Sequence, residues 1–412
     1  MSRYIVLLCF LSASAGFADA VPGGLSVANA VSMALTNHPA VLALEANLQA
    51  SQALRKQAGI RPNPEAEFGA GYKDTEVDSG YEVDAALNFP IERRGKREAR
   101  IGIAESDVLT AEAELAQVQR DLELQVRMLA YDYLTASADA EIAREIAERS
   151  RAMIDLLKQR PAAGPAMVIE LRIIEASLVE FQNSAREFES QRDSSKVALN
   201  ILLRRNLDSP LLLMDDLQVP SAQHDLASLS ASLEKSPALM KRLAEATRAT
   251  REASAAALEA KPDFGIGPYV SREDAGDAET TVGLAISIPF TRRNRNQGMI
   301  AAAQARQTGA EAQLESARLS ARTELVQLHH LYEAAVAQVD SITPELVSNL
   351  HDAADLADRQ YRLGAIPVQL FLDMQREFLS VQLLRHNALL EALKKSAELA
   401  WLSRAVDEGD RP

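Results

Sequence analysis

The chain has 412 residues, 47% hydrophobic and 25% charged but only 5% aromatic, with a formal net charge of −14. An acidic balance of that size argues against a nucleic-acid binder, because a duplex-binding surface needs a basic stripe. Apolar content made largely of Ala and Leu favours long helices packed through small side chains.

The first twenty residues carry the pattern of a secretory signal. Arg3 supplies the positive start, residues 5–11 the apolar stretch, and Ala18-Asp19-Ala20 the cleavage site. Cys9, the only cysteine, falls inside that stretch, so the mature protein is expected to have no disulfide, thiolate metal site or cysteine nucleophile. No later run of 18 apolar residues predicts a transmembrane helix. Whether the exported chain stops in a membrane then rests on its strands.

A helical piece, residues 25–59, is interrupted by Pro39. Alternation follows: Ala66, Phe68, Ala70 and Tyr72 oppose Glu65, Glu67, Gly69 and Gly71. Tyr81, Val83, Ala85, Leu87 and Phe89 oppose Glu82, Asp84 and Asn88. With the polar loop KDTEVDSG between them these form a predicted hairpin, 65–90, of strands long enough to cross a bilayer at a tilt. At the junction Pro90 is expected to end the ladder, since it has no backbone donor. Arg93, Arg94 and Lys96 are expected at a membrane–water boundary, where they suit lipid headgroups. Residues 103–160 contain no Gly or Pro and carry a heptad seam with one stutter, the mark of long helices packed side by side. A turn at 160–168 sends the chain back in a second helix as far as Arg205.

The second half repeats the plan. A helical piece, 226–260, contains Pro237. A second hairpin, 263–289, sets Phe264, Ile266, Pro268 and Val270, then Val282, Leu284, Ile286 and Ile288, against polar or glycine neighbours. Pro289, Arg292 and Arg293 form the second junction, a seam from Ala310 to Val339 marks the second long helix, and a turn at 361–369 leads into helix through Arg404. The chain is thus an internal duplication, 21–209 and 210–412, pairing Pro90 with Pro289, Arg93-Arg94 with Arg292-Arg293, and Gly164 with Gly364. Its fold class is mainly α with a small β part. Four strands cannot close a barrel in lipid, where no edge can stay unpaired. Each chain is therefore expected to contribute to a shared barrel, continued by a helical tube in the periplasm.

The order LSVANAVSMALTNHPAV, RPNPEAEFGAGY, LNFPIERRGKREAR and YRLGAIPVQLFLDMQ resembles the outer-membrane efflux protein family, the TolC-like channels, over essentially the whole mature chain. That resemblance implies a homotrimer with twelve barrel strands and a long α-helical conduit, the exit duct of a tripartite system with a periplasmic adaptor and an inner-membrane RND-type pump. The run PIERRGKREAR is most similar to the cation-efflux (CzcC-like) branch, with Arg93 and Arg94 in place of Leu-Gly. The lack of a mature N-terminal cysteine departs from the lipid-anchored members. By the same resemblance the helical tips, with Gly164, Pro165, Arg362, Leu363, Gly364 and Ala365, dock the adaptor. Tyr361 matches a tyrosine of the closing network and Asp373 an acidic position of the periplasmic entrance, although Leu370 replaces the neighbouring acid.

Nothing points to an enzyme, a cofactor or a bound metal. The six histidines, His38, His224, His329, His330, His351 and His386, include no pair at the i,i+4 spacing of a helical zinc site and are expected at the surface. The likeness of the junction to the cation-efflux branch implies heavy-metal cations as cargo, with multidrug or type I secretion export as the alternative within the family. A non-transport periplasmic coiled-coil scaffold is the alternative outside it.

Overall fold

A computed structural model describes residues 24–74, 76, 79–159, 165–218, 225–274, 276–289 and 294–403. The signal segment, Gly164, His224, Arg292 and Arg293 lie outside the described residues. In chain order the elements are α1 (Val27–Asn37), α2 (Pro39–Ala58), β1 (Glu65–Asp74), β2 (Ser79–Ile91), α3 (Lys96–Gln159), α4 (Pro165–Leu202), α5 (Leu226–Leu233) and α6 (Pro237–Glu259). The rest are β3 (Phe264–Glu273), β4 (Glu279–Ser287), α7 (Gln297–Ser341), α8 (Pro344–Arg362) and α9 (Val368–Ser403). The chain is mainly helical with one small antiparallel sheet.

Proline sets several boundaries. Pro39 and Pro237 each open a new helix, where a missing N–H costs nothing. The chain bends by 50° between α1 and α2. The 64-residue α3 is one uninterrupted helix, about 96 Å long at 1.5 Å per residue. Its counterpart is not. α7 stops at Ser341, and α8 restarts at Pro344 with the Thr343 hydroxyl accepting the Leu346 N–H. Proline cannot donate the bond that would have continued the helix, and the threonine caps the new one.

Two compact units divide the chain, each drawing on both halves of the sequence. The first comprises residues up to 41, 119–226 and 325–401. Its core is built in layers by four helices. Ala143, Ile146 and Ala147 of α3 meet Phe181 and Ala185 of α4, Ala354 of α8, and Phe378 and Leu379 of α9. Small residues on one helix receive large ones from the next, which is how long helices approach closely. The segment after α4 is tied down by polar contacts. Leu25 pairs with Leu213 as a parallel bridge, and the buried Tyr133 hydroxyl donates to the Leu211 carbonyl at 2.7 Å.

The second unit, 42–118, 227–324 and 402–412, holds the sheet, ordered β1-β2-β3-β4 with every neighbour antiparallel. The register pairs Phe68 with Ala85, Ala85 with Val270, and Val270 with Val282, so the apolar sets of all four strands share one face. β1 and β4 are the free edges. Pro90 does not end the ladder as expected, because β2 continues to Ile91 and Pro90 pairs with Gly265. The β1–β2 register already stops at Asn88, so Pro90 has a neighbouring strand on one side only and its missing donor can lie on the other. Pro289 does lie beyond its strand, two residues after β4.

Candidate functional site

The sheet is the first candidate. Its apolar face is uncovered: Phe68 is 82% exposed, Val282 75% and Leu284 72%. The opposite face is polar or small apart from Tyr269 and Pro90, with Glu67, Asp84 and Asn88 beside Gly69, Gly265, Gly267 and Gly283. Gly267 is required by space, since a Cβ there would fall 1.5 Å from the Leu87 carbonyl oxygen. A face this apolar, bare over four strands, has no place in water.

The junction after β2 is a network of contacts. Arg93 and Arg94 are exposed, and the Arg93 N–H donates to Asp263 at 2.7 Å and its Nε to the Pro262 carbonyl. Lys96 is the exception. Its side chain is 7% exposed and bonds Asp263 at 2.9 Å and Glu259 at 3.2 Å. Burial opposes its charge, but those two carboxylates outweigh burial and hold the ammonium above its ordinary value. Lys96 is thus an internal tie between α3 and the α6–β3 connection, with its partners more than 160 residues away in sequence. Arg100 works similarly. It pairs with Glu92 at 2.6 Å, which raises its pKa, and donates to the carbonyls of Ala58 and Ile60 at the open end of α2. Gly95, at φ +96, precedes α3, and its N–H is accepted by Glu98, half of a capping box. Asn296, at φ 62, holds the corresponding place before α7.

The tips are the second candidate. α8 ends in a Schellman motif: Gly364 at φ +74 sends its N–H to the Tyr361 carbonyl, and Ala365 to that of Gln360. Tyr361 lies buried with Met153, Leu157, Ile174, Phe371 and Leu372. Its ring stacks on Phe371 at 5.4 Å between centroids, and its hydroxyl bonds Glu170 of α4 at 3.1 Å. The structure therefore brings Tyr361 into contact with both tip hairpins. Pro165, Arg362, Leu363, Gly364 and Ala365 are all exposed, Leu363 by 78%. Arg362 is held by Asp358 through two bonds of 2.7 and 3.2 Å. Asp373 is exposed and accepts from Gln369 at 3.1 Å. Arg376, 3.7 Å from it, bonds Glu180 and Ser177 of α4.

The histidines do not all lie at the surface. His386 of α9 is largely buried and contacts Asp139 of α3 at 2.6 Å, and His351 packs on Phe378 at 5.0 Å between centroids. Polar pairs across long helices leave no local pattern in the sequence. Among the described residues one group could hold a metal ion, His329, His330 and Glu333 on α7, where the sequence had suggested none.

Solved structures share this mainly helical fold with its small antiparallel sheet. CusC, solved in crystal structures concerned with folding and transmembrane channel formation, superposes with a TM-score of 0.75 at 17% identity over 95% of this chain and 93% of its own. VceC of Vibrio cholerae, an outer membrane protein, gives a TM-score of 0.71 at 18% identity over 91% of this chain and 94% of its own. The chain belongs to the outer membrane efflux protein family, whose model matches residues 30–203 and 228–403. It is also 23% identical, over 354 residues, to the cobalt-zinc-cadmium resistance protein CzcC of Cupriavidus metallidurans, covering 86% of this chain and 84% of that protein. The resemblance seen in its motifs is borne out.

Proposed function

We propose that three copies of this chain form a passive exit duct in the outer membrane, with a helical portion in the periplasm, through which an inner-membrane pump and a periplasmic adaptor discharge heavy-metal cations. The observation that carries this reading is the four-stranded sheet. Its exposed apolar face suits lipid, and its two free edges require strands from neighbouring copies, since lipid cannot satisfy open backbone groups. Twelve strands from three copies close one barrel, with the polar face of Glu67 and Asp84 turned to water inside it. Arg93 and Arg94, exposed at the junction after β2, then meet the headgroups.

Adaptor docking falls to the tips. Leu363, with Val168 and Ile169 of α4, leaves exposed apolar side chains beside the Gly364 turn, and such residues suit a protein partner better than water. The half-buried Tyr361–Glu170 contact holds the two hairpins of one chain together behind that surface. Likeness to CzcC supports metals as cargo.

Growth of a deletion strain, with and without complementation, tests the assignment across zinc, cadmium, cobalt, nickel, copper and silver beside a panel of drugs and detergents. Sensitivity to metals alone is expected. Sensitivity to drugs alone would keep the duct and overturn the metal cargo; a protein that fractionates as soluble and needs no detergent would overturn the duct.

A further inference from the structure

His329, His330 and Glu333 lie within one turn of α7. Adjacent helical residues diverge by about 100°, but Glu333 is four residues beyond one histidine and three beyond the other, so its carboxylate reaches both. The Nδ1 atoms of His329 and His330 lie 3.5 and 3.4 Å from the same oxygen, Oε2 of Glu333. Those distances are long for hydrogen bonds to a carboxylate, which run to about 2.7–2.9 Å. They instead match the edge of a tetrahedron around zinc: two ligands at about 2.0–2.1 Å and the tetrahedral angle stand about 3.3–3.4 Å apart. One ligand atom from each of the three residues lies within 4.8 Å of the others.

The surroundings favour a site that is held yet open. His329 is 12% exposed and lies in line with Leu325 and Tyr332, both buried, so the helix packing limits its ring. His330 and Glu333 are largely exposed, leaving room for water at the remaining coordination positions. We infer that His329, His330 and Glu333 form a solvent-accessible binding site for a divalent transition-metal cation of the zinc class. Two imidazoles and one carboxylate select such ions over magnesium and calcium, which favour all-oxygen ligands. The site stands on its own geometry and does not depend on the cargo being a metal.

The test uses the full chain, purified in detergent without an oligohistidine tag, stripped with chelator and titrated calorimetrically with zinc chloride in excess magnesium. Saturable binding is expected, with the stoichiometry falling by one ion per chain in His330→Ala and again in Glu333→Gln assayed separately. Both side chains are exposed, so circular dichroism should match the parent and a loss cannot be assigned to unfolding. Equal zinc stoichiometry and affinity in the parent and both variants would overturn the site. Cobalt gives a second reading, because visible bands of a cobalt–imidazole complex should be present in the parent and lost in both variants; bands that persist would count against it. The deletion strain's growth is a separate readout: a drug-exporting channel would still bind this zinc, and a metal-exporting one without the site would not.

Discussion

Two residues do the same job at helix ends with different chemistry. Gly364 turns the chain after α8 at φ +74, and a Cβ there would meet nothing within 4 Å. Its requirement is therefore conformational, and Gly364→Ala should cost about 1 kcal/mol, with Gly364→Asn costing less. Faster hydrogen exchange at the Gly364 and Ala365 amides is the expected reading. Arg204 turns the chain after α4 at φ 54, with the Arg205 N–H bonded to the Asn200 carbonyl. An arginine held there is strained, so Arg204→Gly should raise stability by roughly 0.5–1 kcal/mol, checked by denaturant unfolding. Gly364 is legible in Tyr-x-x-Gly because glycine advertises its conformation. Arg204 is not, since nothing local marks an arginine forced into a turn. Lys96 and His386 escape for a related reason: their partners, Asp263 and Asp139, are distant in sequence, and only the packed helices bring them together.

At the scale of elements, periodicity carries most of the fold. Period-two alternation places all four strands, and the seams place the long helices, because burial of one face dictates both patterns. The break between α7 and α8 also has a local signal, Thr343-Pro344, a cap followed by a proline at the first helical position. It is easily passed over because Val339 and Ile342, on either side of the helix end, pack into one cluster with α9. The tip contact is the element-scale test. Tyr361→Phe keeps the stack on Phe371 and removes the hydroxyl bonded to Glu170, which links α8 to α4. It should destabilise the tip by about 1 kcal/mol. If that bond also restrains the entrance, planar-bilayer recordings should give a higher conductance than the parent. Unchanged conductance with the same loss of stability would reduce Tyr361 to a packing residue.

At the scale of the whole molecule, the free edges of β1 and β4 govern what the chain can do. Cys9 is the only cysteine in the sequence, so introduced pairs report cleanly. Cysteines scanned along β1 from Gly71, where a side chain has open space, against β4 from Gly283 should give a denaturant-resistant ladder ending at three chains. A ladder that stops at two, or monomer throughout, would break the shared-barrel reading.

On the proposed shared barrel, the same open sheet gives the gene an unusual dosage behaviour. An ordinary enzyme that loses one good copy in two keeps roughly half its output. A subunit whose fold is completed only by its neighbours does not, because a chain that enters the assembly with one edge blocked spoils the seats beside it. A blocked copy is then worse than a missing one, and the injury spreads to sound chains in the same cell.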